Sequence, residues 1–401
     1  MNVMITGMGA VSAFGVGVGR LWVAARGGVT GCVPIKYERE VPHQISIAAQ
    51  LHGFESAAYF SEAQCEVYDR FTAFAVIAAG DAVSQAGLRR DELRDLRTAV
   101  VIGTGVGGVG SFDDGCHRLY AEQRARLNPM TIPRVMANAA ACHVSIQLGA
   151  HGPTFAVCSA CASATQAIGI GVQMIRSGAV DVAIVGGSEA PITPAVMRGW
   201  ESMRVLAPQA SRPFSQGRNG MVIGEGAAVF VLESEERVRA RGGTPLARLA
   251  GYGTSSDAGD LLRPDASGAA AAMRLALADA GVAADAVDYV NAHGTGTVLN
   301  DVTETMAIKR VLGDRAQHVP ISSTKPVHGH ALGASGALEL AVTVCAMRES
   351  FVPPTINWLD RDPACDLDVV PNQGRPASIR HALSNSFAFG GINATLLVAR
   401  V

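Results

Sequence analysis

Short apolar runs that stop at glycine turns alternate along this chain with alanine-rich stretches of helical length. Val3–Ile5, Thr98–Ile102, Val180–Val185, Val229–Leu232, Val287–Val290 and Thr395–Val401 read as buried strands. Between them, Phe71–Ala86, Arg134–Leu148, Ala162–Ser177, Ala269–Ala280 and Gly336–Met347 read as helices. The alternation predicts an α/β fold with helices covering sheets. Glycine fills 45 of the 401 positions while aromatics make up 5%. That balance points to close helix–strand packing rather than a sandwich of bulky side chains.

A weak internal echo runs through the pattern. Ala82-Val-Ser-Gln-Ala-Gly-Leu88, a strand and Gly103-Thr-Gly105 return as Ala276-Leu-Ala-Asp-Ala-Gly-Val282, a strand and Gly294-Thr-Gly296. Each copy ends a helix at Ala-Gly, where glycine supplies a left-handed cap. The echo suggests two related halves meeting near residue 250, although alanine- and glycine-rich segments also resemble one another by chance.

Charge narrows the function classes. With 33 basic and 35 acidic side chains the net charge is −2, against the basic face a nucleic-acid binder needs. Only Lys36, Lys309 and Lys325 are lysines. No apolar stretch approaches the roughly 20 residues that span a bilayer. The first residues lack a basic leader and read as a strand entering a glycine turn. Eight cysteines in so long a chain are no disulfide framework and predict free thiols. The expectation is a soluble, cytoplasmic protein.

Three segments can carry chemistry. In Gly152-Pro-Thr-Phe-Ala-Val-Cys-Ser-Ala-Cys-Ala-Ser163 a strand runs into a helix and Cys161 stands at the turn. A helix start favours a thiolate through its dipole and unpaired N–H groups, and the small neighbours leave room for a substrate. A structural cysteine is the plainer alternative. Cys158 and Cys161 also spell a C-x-x-C, which invites a redox or zinc reading, but no second pair stands at ribbon spacing. Gly103–Gly108 matches the dinucleotide fingerprint, yet the acidic residue it needs about twenty positions on is missing. There the chain reads as the charged, helix-like stretch Leu119–Leu127. Finally, Asn291-Ala-His-Gly-Thr-Gly-Thr297 sets His293 at a strand end, and Ser322–Ala337 sets Lys325, His328 and His330 in a glycine-bounded turn before an apolar helix. A thiol nucleophile needs a base or a lowered pKa, and a developing oxyanion needs positioned donors.

With these residues in place the sequence resembles the elongating β-ketoacyl–acyl carrier protein synthases of the thiolase-like superfamily, over nearly its whole length. The resemblance is carried by Ile5–Gly9, Tyr68–Phe71, Ala160–Ser163, Arg212-Pro-Phe214, Gly224-Glu-Gly226, His293–Thr297, Ser323-Thr-Lys325, Gly329-His330, Asn385-Ser-Phe387 and Phe389-Gly-Gly391. It implies two similar βαβαβαββ halves, 1–245 with Cys161 and 246–401 with His293 and His330, in a five-layer αβαβα arrangement, and a dimer of identical or ketosynthase-like partners. Cys161 would accept the acyl group and complete a triad with His293 and His330, supported electrostatically by Lys325 and Glu339. Thr295 and Thr297 would bind the pantetheine arm. Phe389 would gate the acyl entrance, its N–H joining that of Cys161 in an oxyanion hole. Val106 and, across the dimer, Thr131 would line the acyl channel. Asn291, Glu304, Glu339, Ser384 and Asn385 match a buried polar cluster that holds a monovalent cation in some relatives and is read here as structural. The reaction implied is decarboxylative condensation of an acyl thioester on Cys161 with a malonyl carrier, requiring no cofactor or metal.

The order Cys, His, His separates the chain from degradative thiolases, which carry a second cysteine near the C-terminus, and from initiating synthases, which pair Cys with His and Asn. A chain-length factor, the non-catalytic alternative, would lack the nucleophile. His328, Ser215, Asn219, Ala388, Ile392 and Thr131 depart from the family pattern and favour a specialised polyketide or modified fatty-acid pathway over housekeeping elongation. The carrier would dock on Arg124, Arg126 and Arg204, because Ser61–Val67, where relatives present cations, has none.

Overall fold

The computed structural model describes every residue except 38 and 40–43. Among the described residues, ten of the eleven strands of the main sheet form two sets of five. The first holds β1 (Val3–Ser12), β2 (Thr98–Gly103), β3 (Thr154–Val157), β4 (Val182–Glu189) and β5 (Gly226–Ser234), in the order β3-β2-β4-β5-β1. The second holds β6 (Ala247–Ser256), β7 (Tyr289–Asn291), β8 (Ile321–Ser322), β9 (His381–Ala388) and β10 (Ile392–Ala399), in the order β8-β7-β9-β10-β6. Strand directions repeat as well. β2 is parallel to β3 and β4, and β5 is antiparallel to β4 and β1. β7 is parallel to β8 and β9, and β10 is antiparallel to β9 and β6. The sets merge where Val3–Ile5 pair with Ala247–Leu249.

The connecting helices are α1 (Arg70–Ala86), α2 (Ala139–Leu148), α3 (Ser163–Arg176), α4 (Ala266–Ala280), α5 (Val298–Leu312) and α6 (Ser335–Glu349). Each set therefore reads βαβαβαββ. α1 and α2 cover the outer face of the first set, α4 and α5 that of the second, and α3 and α6 lie between the two. This is the five-layer architecture expected above. The halves even share a packing device. A Cβ at Gly7 or Gly9 of β1 would stand 2.0 or 2.1 Å from a carbonyl of α1, and at Gly251 or Gly253 of β6, 2.0 or 2.1 Å from a carbonyl of α4. Only glycine permits helix and strand to approach so closely.

Two expected elements differ. Arg134–Leu148 is not one helix: Thr131–Val135 and α2 are separated at Met136, which is extended. The Val135 carbonyl accepts the Gly108 N–H instead of continuing the helix. Of Leu119–Leu127 only Leu119 and Tyr120 are helical, as the end of the helix Val109–Tyr120. Among the described residues, no helix is long and apolar enough to cross a membrane.

What the layering provides is a meeting of two helix starts. The 3₁₀ turns Ala160–Ala162 and Leu332–Ala334 lead directly into α3 and α6. In each the first residue has left-handed backbone, φ 47° at Ala160 and 43° at Leu332. That conformation disfavours a side chain by roughly 1–2 kcal/mol, so the surrounding packing must impose it.

Candidate active site

Cys161 sits in the first of these turns and is 6% exposed. His293 lies two residues beyond β7, and His330 just before the second turn. The sulfur and one nitrogen of each ring lie within 4.8 Å of one another. His330 Nε2 is 3.1 Å from Cys161 Sγ. The rings of His293 and His330 meet edge to face, with centroids 5.4 Å apart.

Lys325 fixes the first histidine. Its ammonium faces His293 Nδ1 at 3.3 Å, donates to the His293 carbonyl at 2.5 Å, and pairs with Glu339 Oε1. Three protons meet three acceptors. Because an ammonium can only donate, His293 Nδ1 must accept, and its proton resides on Nε2. His330 is held differently: its Nδ1 faces the Ser335 hydroxyl at 2.8 Å. A hydroxyl can donate or accept. Burial first, and Lys325 second, hold both histidines well below their ordinary pKa, so both are neutral at pH 7.

The thiol departs from the expectation of a helix-stabilised thiolate. Burial pushes Cys161 up to about 12, with Lys325 opposing and Glu189 and Glu339 adding to the rise. The resting group is a thiol, and it needs an acceptor for its proton. The same three atoms are a soft-metal donor set, and the Lys325 ammonium on His293 Nδ1 sets a positive charge beside them. His328 is engaged structurally, with Nδ1 2.8 Å from the Gly329 carbonyl and Nε2 3.0 Å from Thr324 Oγ1.

Behind the triad lies the polar cluster. Glu304 accepts the N–H groups of His293 and Gly294, each at 2.8 Å, and Asn385 Nδ2 at 3.2 Å. Burial raises Glu304 to about 6 and Glu339 to about 7, Lys325 opposing the latter. Among the described residues, Asn291 Oδ1 and Glu339 Oε2 are buried without a hydrogen-bond partner. Hard acceptor oxygens of this kind fit a monovalent cation.

A cavity of about 430 Å³ opens from the triad. Thr295 and Thr297 line it, their hydroxyls 2.9 Å apart. Phe389 also lines it and stacks on Trp200 at 6.1 Å. The turn after Phe389 is latched: Gly390 N–H donates to the Leu261 carbonyl, and Asp257 N–H to that of Gly391, both at 2.8 Å. Arg204 is exposed at the mouth, where Arg263 joins it; neither guanidinium makes an ion pair among the described residues. Exposed Met203, Leu261, Leu262, Val298 and Leu299 complete the rim.

Four anticipated residues lie elsewhere. Val106 is exposed, in a turn whose N–H groups bond Glu189. Thr131 borders a separate polar cavity with Asp69, Arg70 and Asp113. Arg124 pairs with Glu122 at 3.3 Å, and Arg126 is exposed; neither lines the mouth.

The sequence reading missed Ser335, Arg263 and Glu189. Glu189, fully buried, accepts Thr104 Oγ1 at 2.8 Å and the N–H groups of Gly105, Val106 and Gly333 at 2.5, 3.2 and 2.9 Å. It ties the first half's glycine turn to the second half's helix start. Nothing in the sequence marks Ser335 or Glu189, since their partners meet them only in three dimensions.

The chain matches the family models "Beta-ketoacyl synthase, N-terminal domain" over residues 1–237 and "Beta-ketoacyl synthase, C-terminal domain" over residues 246–359. This chain belongs to the β-ketoacyl synthase family. It is a condensing enzyme of the acyltransferase type. Nodulation protein E of Rhizobium sp. (strain N33) is 44% identical over all of this chain and 99% of its own length. The 3-oxoacyl-[acyl-carrier-protein] synthase 2 of Staphylococcus aureus (strain MRSA252) is 39% identical over 99% of this chain and 98% of its own. Among solved structures, the ishigamide ketosynthase/chain length factor superposes with a TM-score of 0.95 at 34% identity, covering 100% of this chain and 99% of that one. A type II PKS ketosynthase, solved bound to a hexaketide and in complex with its acyl-carrier protein, gives 0.92 at 32%, with the same coverage.

Proposed function

We propose that this β-ketoacyl synthase condenses an acyl thioester, carried on Cys161, with a malonyl group on an acyl carrier protein, and that the two histidines divide the work. The observation that carries this reading is the 3.1 Å contact of His330 Nε2 with a buried, neutral thiol. As the sulfur attacks the acyl carbonyl, its proton passes to His330 Nε2 and the carbon–sulfur bond to the carrier breaks. The departing thiolate takes that proton, leaving the acyl-cysteine and a neutral His330. The backbone N–H groups of Cys161 and Phe389 hold the oxyanion. The malonyl thioester enters next, its arm on Thr295 and Thr297, and its thioester oxygen receives hydrogen bonds from the Nε2–H groups of His293 and His330. Loss of carbon dioxide leaves an enolate on those donors. Its carbon attacks the acyl-cysteine carbonyl, the carbon–sulfur bond to Cys161 breaks, and the departing Cys161 thiolate takes up a proton from solvent to restore the thiol. Lys325 and Glu339 hold His293 as a donor throughout.

The carrier and a dimeric partner follow from the relatives named for them. The helices Val109–Tyr120 and Thr131–Val135, which pack together, and Met136 just beyond them expose Phe112, Tyr120, Ile132 and Met136, an apolar surface suited to a second ketosynthase-like subunit. Val106 and Thr131 lie in this region and would close the far end of the acyl channel in the dimer. Arg204, with Arg263, would meet an acidic carrier at the mouth, with Arg124 and Arg126 as outlying contacts. The departures from the family pattern favour a specialised polyketide or modified fatty-acid pathway, in the cytoplasm, and a division into halves 1–245 and 246–401. Intact-mass analysis after incubation with a panel of acyl carriers tests the reading: one acyl adduct should appear, and be lost in Cys161→Ala.

A further inference from the structure

Building on that reading, we propose that Ser335 is a positioning residue that lets His330 alternate between proton acceptor and hydrogen-bond donor, while Lys325 denies His293 the same freedom. In the acylation step His330 Nε2 must accept the thiol proton, which requires Nδ1 to carry a proton as well. Ser335 Oγ, 2.8 Å away, accepts from it. In the decarboxylation step His330 Nε2 must donate, so the ring first changes tautomer. While the carriers exchange, Nε2 takes a proton from solvent in the cavity and Nδ1 gives one up to solvent, with no net change of charge, and Nδ1 is bare. The same hydroxyl then turns its proton toward Nδ1. Ser335 and both histidines are buried, so water is no ready substitute. At His293 the corresponding position is filled by an ammonium, which donates only. One ring is thereby a fixed donor and the other a convertible one.

The two steps need the hydroxyl unequally. Acylation creates an imidazolium whose Nδ1–H must find an acceptor in a buried site, and hydrogen bonds to charged groups are worth about twice those between neutral ones. Decarboxylation leaves only a neutral lone pair unmatched. Ser335→Ala should slow single-turnover acylation of Cys161 on the order of 10–100-fold, and malonyl decarboxylation, measured in a Cys161→Gln background, only about 2–10-fold. The KM for the carrier-bound substrate should hold in both. A second readout is independent of turnover: in ¹⁵N-labelled enzyme the His330 ring shifts should fall between the two tautomer limits, with His293 at the Nε2–H limit. Equal slowing of both steps, no slowing, greater slowing of decarboxylation, or a His330 ring locked at the same limit as His293 would overturn the inference. Failure of Cys161→Gln to release carbon dioxide at all would instead count against the assignment of the triad.

Discussion

At the base of the cavity each residue of the triad is buried and held by a named partner; at the mouth, Arg204 and Arg263 lie beside exposed leucines with no ion pair among the described residues. The base draws Cys161 from the first half and both histidines from the second, and the close approach of two helix starts fixes it. The mouth is built from segments that face solvent. Chemistry is therefore set by a buried interior that tolerates little change, and partner choice by a rim that can vary without disturbing it.

The largest effect should come from breaking the base. Lys325→Ala removes three hydrogen bonds and strands Glu339, and breaking one partner of a buried pair typically costs about 3–5 kcal/mol. Without the ammonium the Glu339 carboxyl, already raised to about 7 by burial, should titrate higher still. The folded state then binds more protons than the unfolded one, so the stability deficit should widen as pH rises. Thermal unfolding at pH 6 and pH 8 checks the sign.

The state of the nucleophile sharpens the same side of the comparison. With Cys161 raised to about 12, alkylation of the resting enzyme by iodoacetamide should climb about tenfold per pH unit from 7 to 9, because only the thiolate reacts. A plateau near pH 7 would mean that the helix start outweighs burial.

At the mouth the effects should be smaller and should depend on salt. Arg204→Ala/Arg263→Ala should lower kcat/KM for carrier-bound substrate about 3–10-fold at low ionic strength, fading toward 0.5 M salt as exposed charges are screened. A carrier-free pantetheine thioester should show no loss. The mildest change concerns the far end of the channel: Thr131→Phe should shorten the longest acyl chain accepted, because a ring removes volume in a packed wall. An unchanged chain-length profile would remove Thr131 from the channel.

The base of the site was more legible in the sequence than the strands that hold it. Cys161, His293 and His330 stand in short glycine-bounded motifs, and a nucleophile at a helix start needs a local signature. β6 was missed because Gly251 and Gly253 interrupt its apolar pattern, when they are there to admit the backbone of α4. β9 was missed because Ser384, Asn385 and Ser386 look like loop residues. In the fold all three are buried, Asn385 reaching Glu304 and Thr395 on one face of the strand and Ser386 reaching Thr165 on the other. A polar strand is stable inside a protein once its side chains are hydrogen-bonded. Ser335 gave no signal because its partner lies across a turn. The mouth was half legible: Arg204 was found, while Arg263 comes to the cavity on the Asp257–Pro264 segment, whose course depends on the latch to Gly390 and Gly391.

The division of labour at the base is the central claim, and labelled carbon dioxide release tests it most directly. Cys161→Gln removes the thiolate and offers an amide in place of the acylated side chain, so it should lose all condensation yet still release carbon dioxide from a malonyl thioester. Adding His293→Ala removes one of two donors to the enolate, and release should then fall by around 10²–10³. Condensation persisting in Cys161→Gln, or release unchanged on adding His293→Ala, would contradict the account.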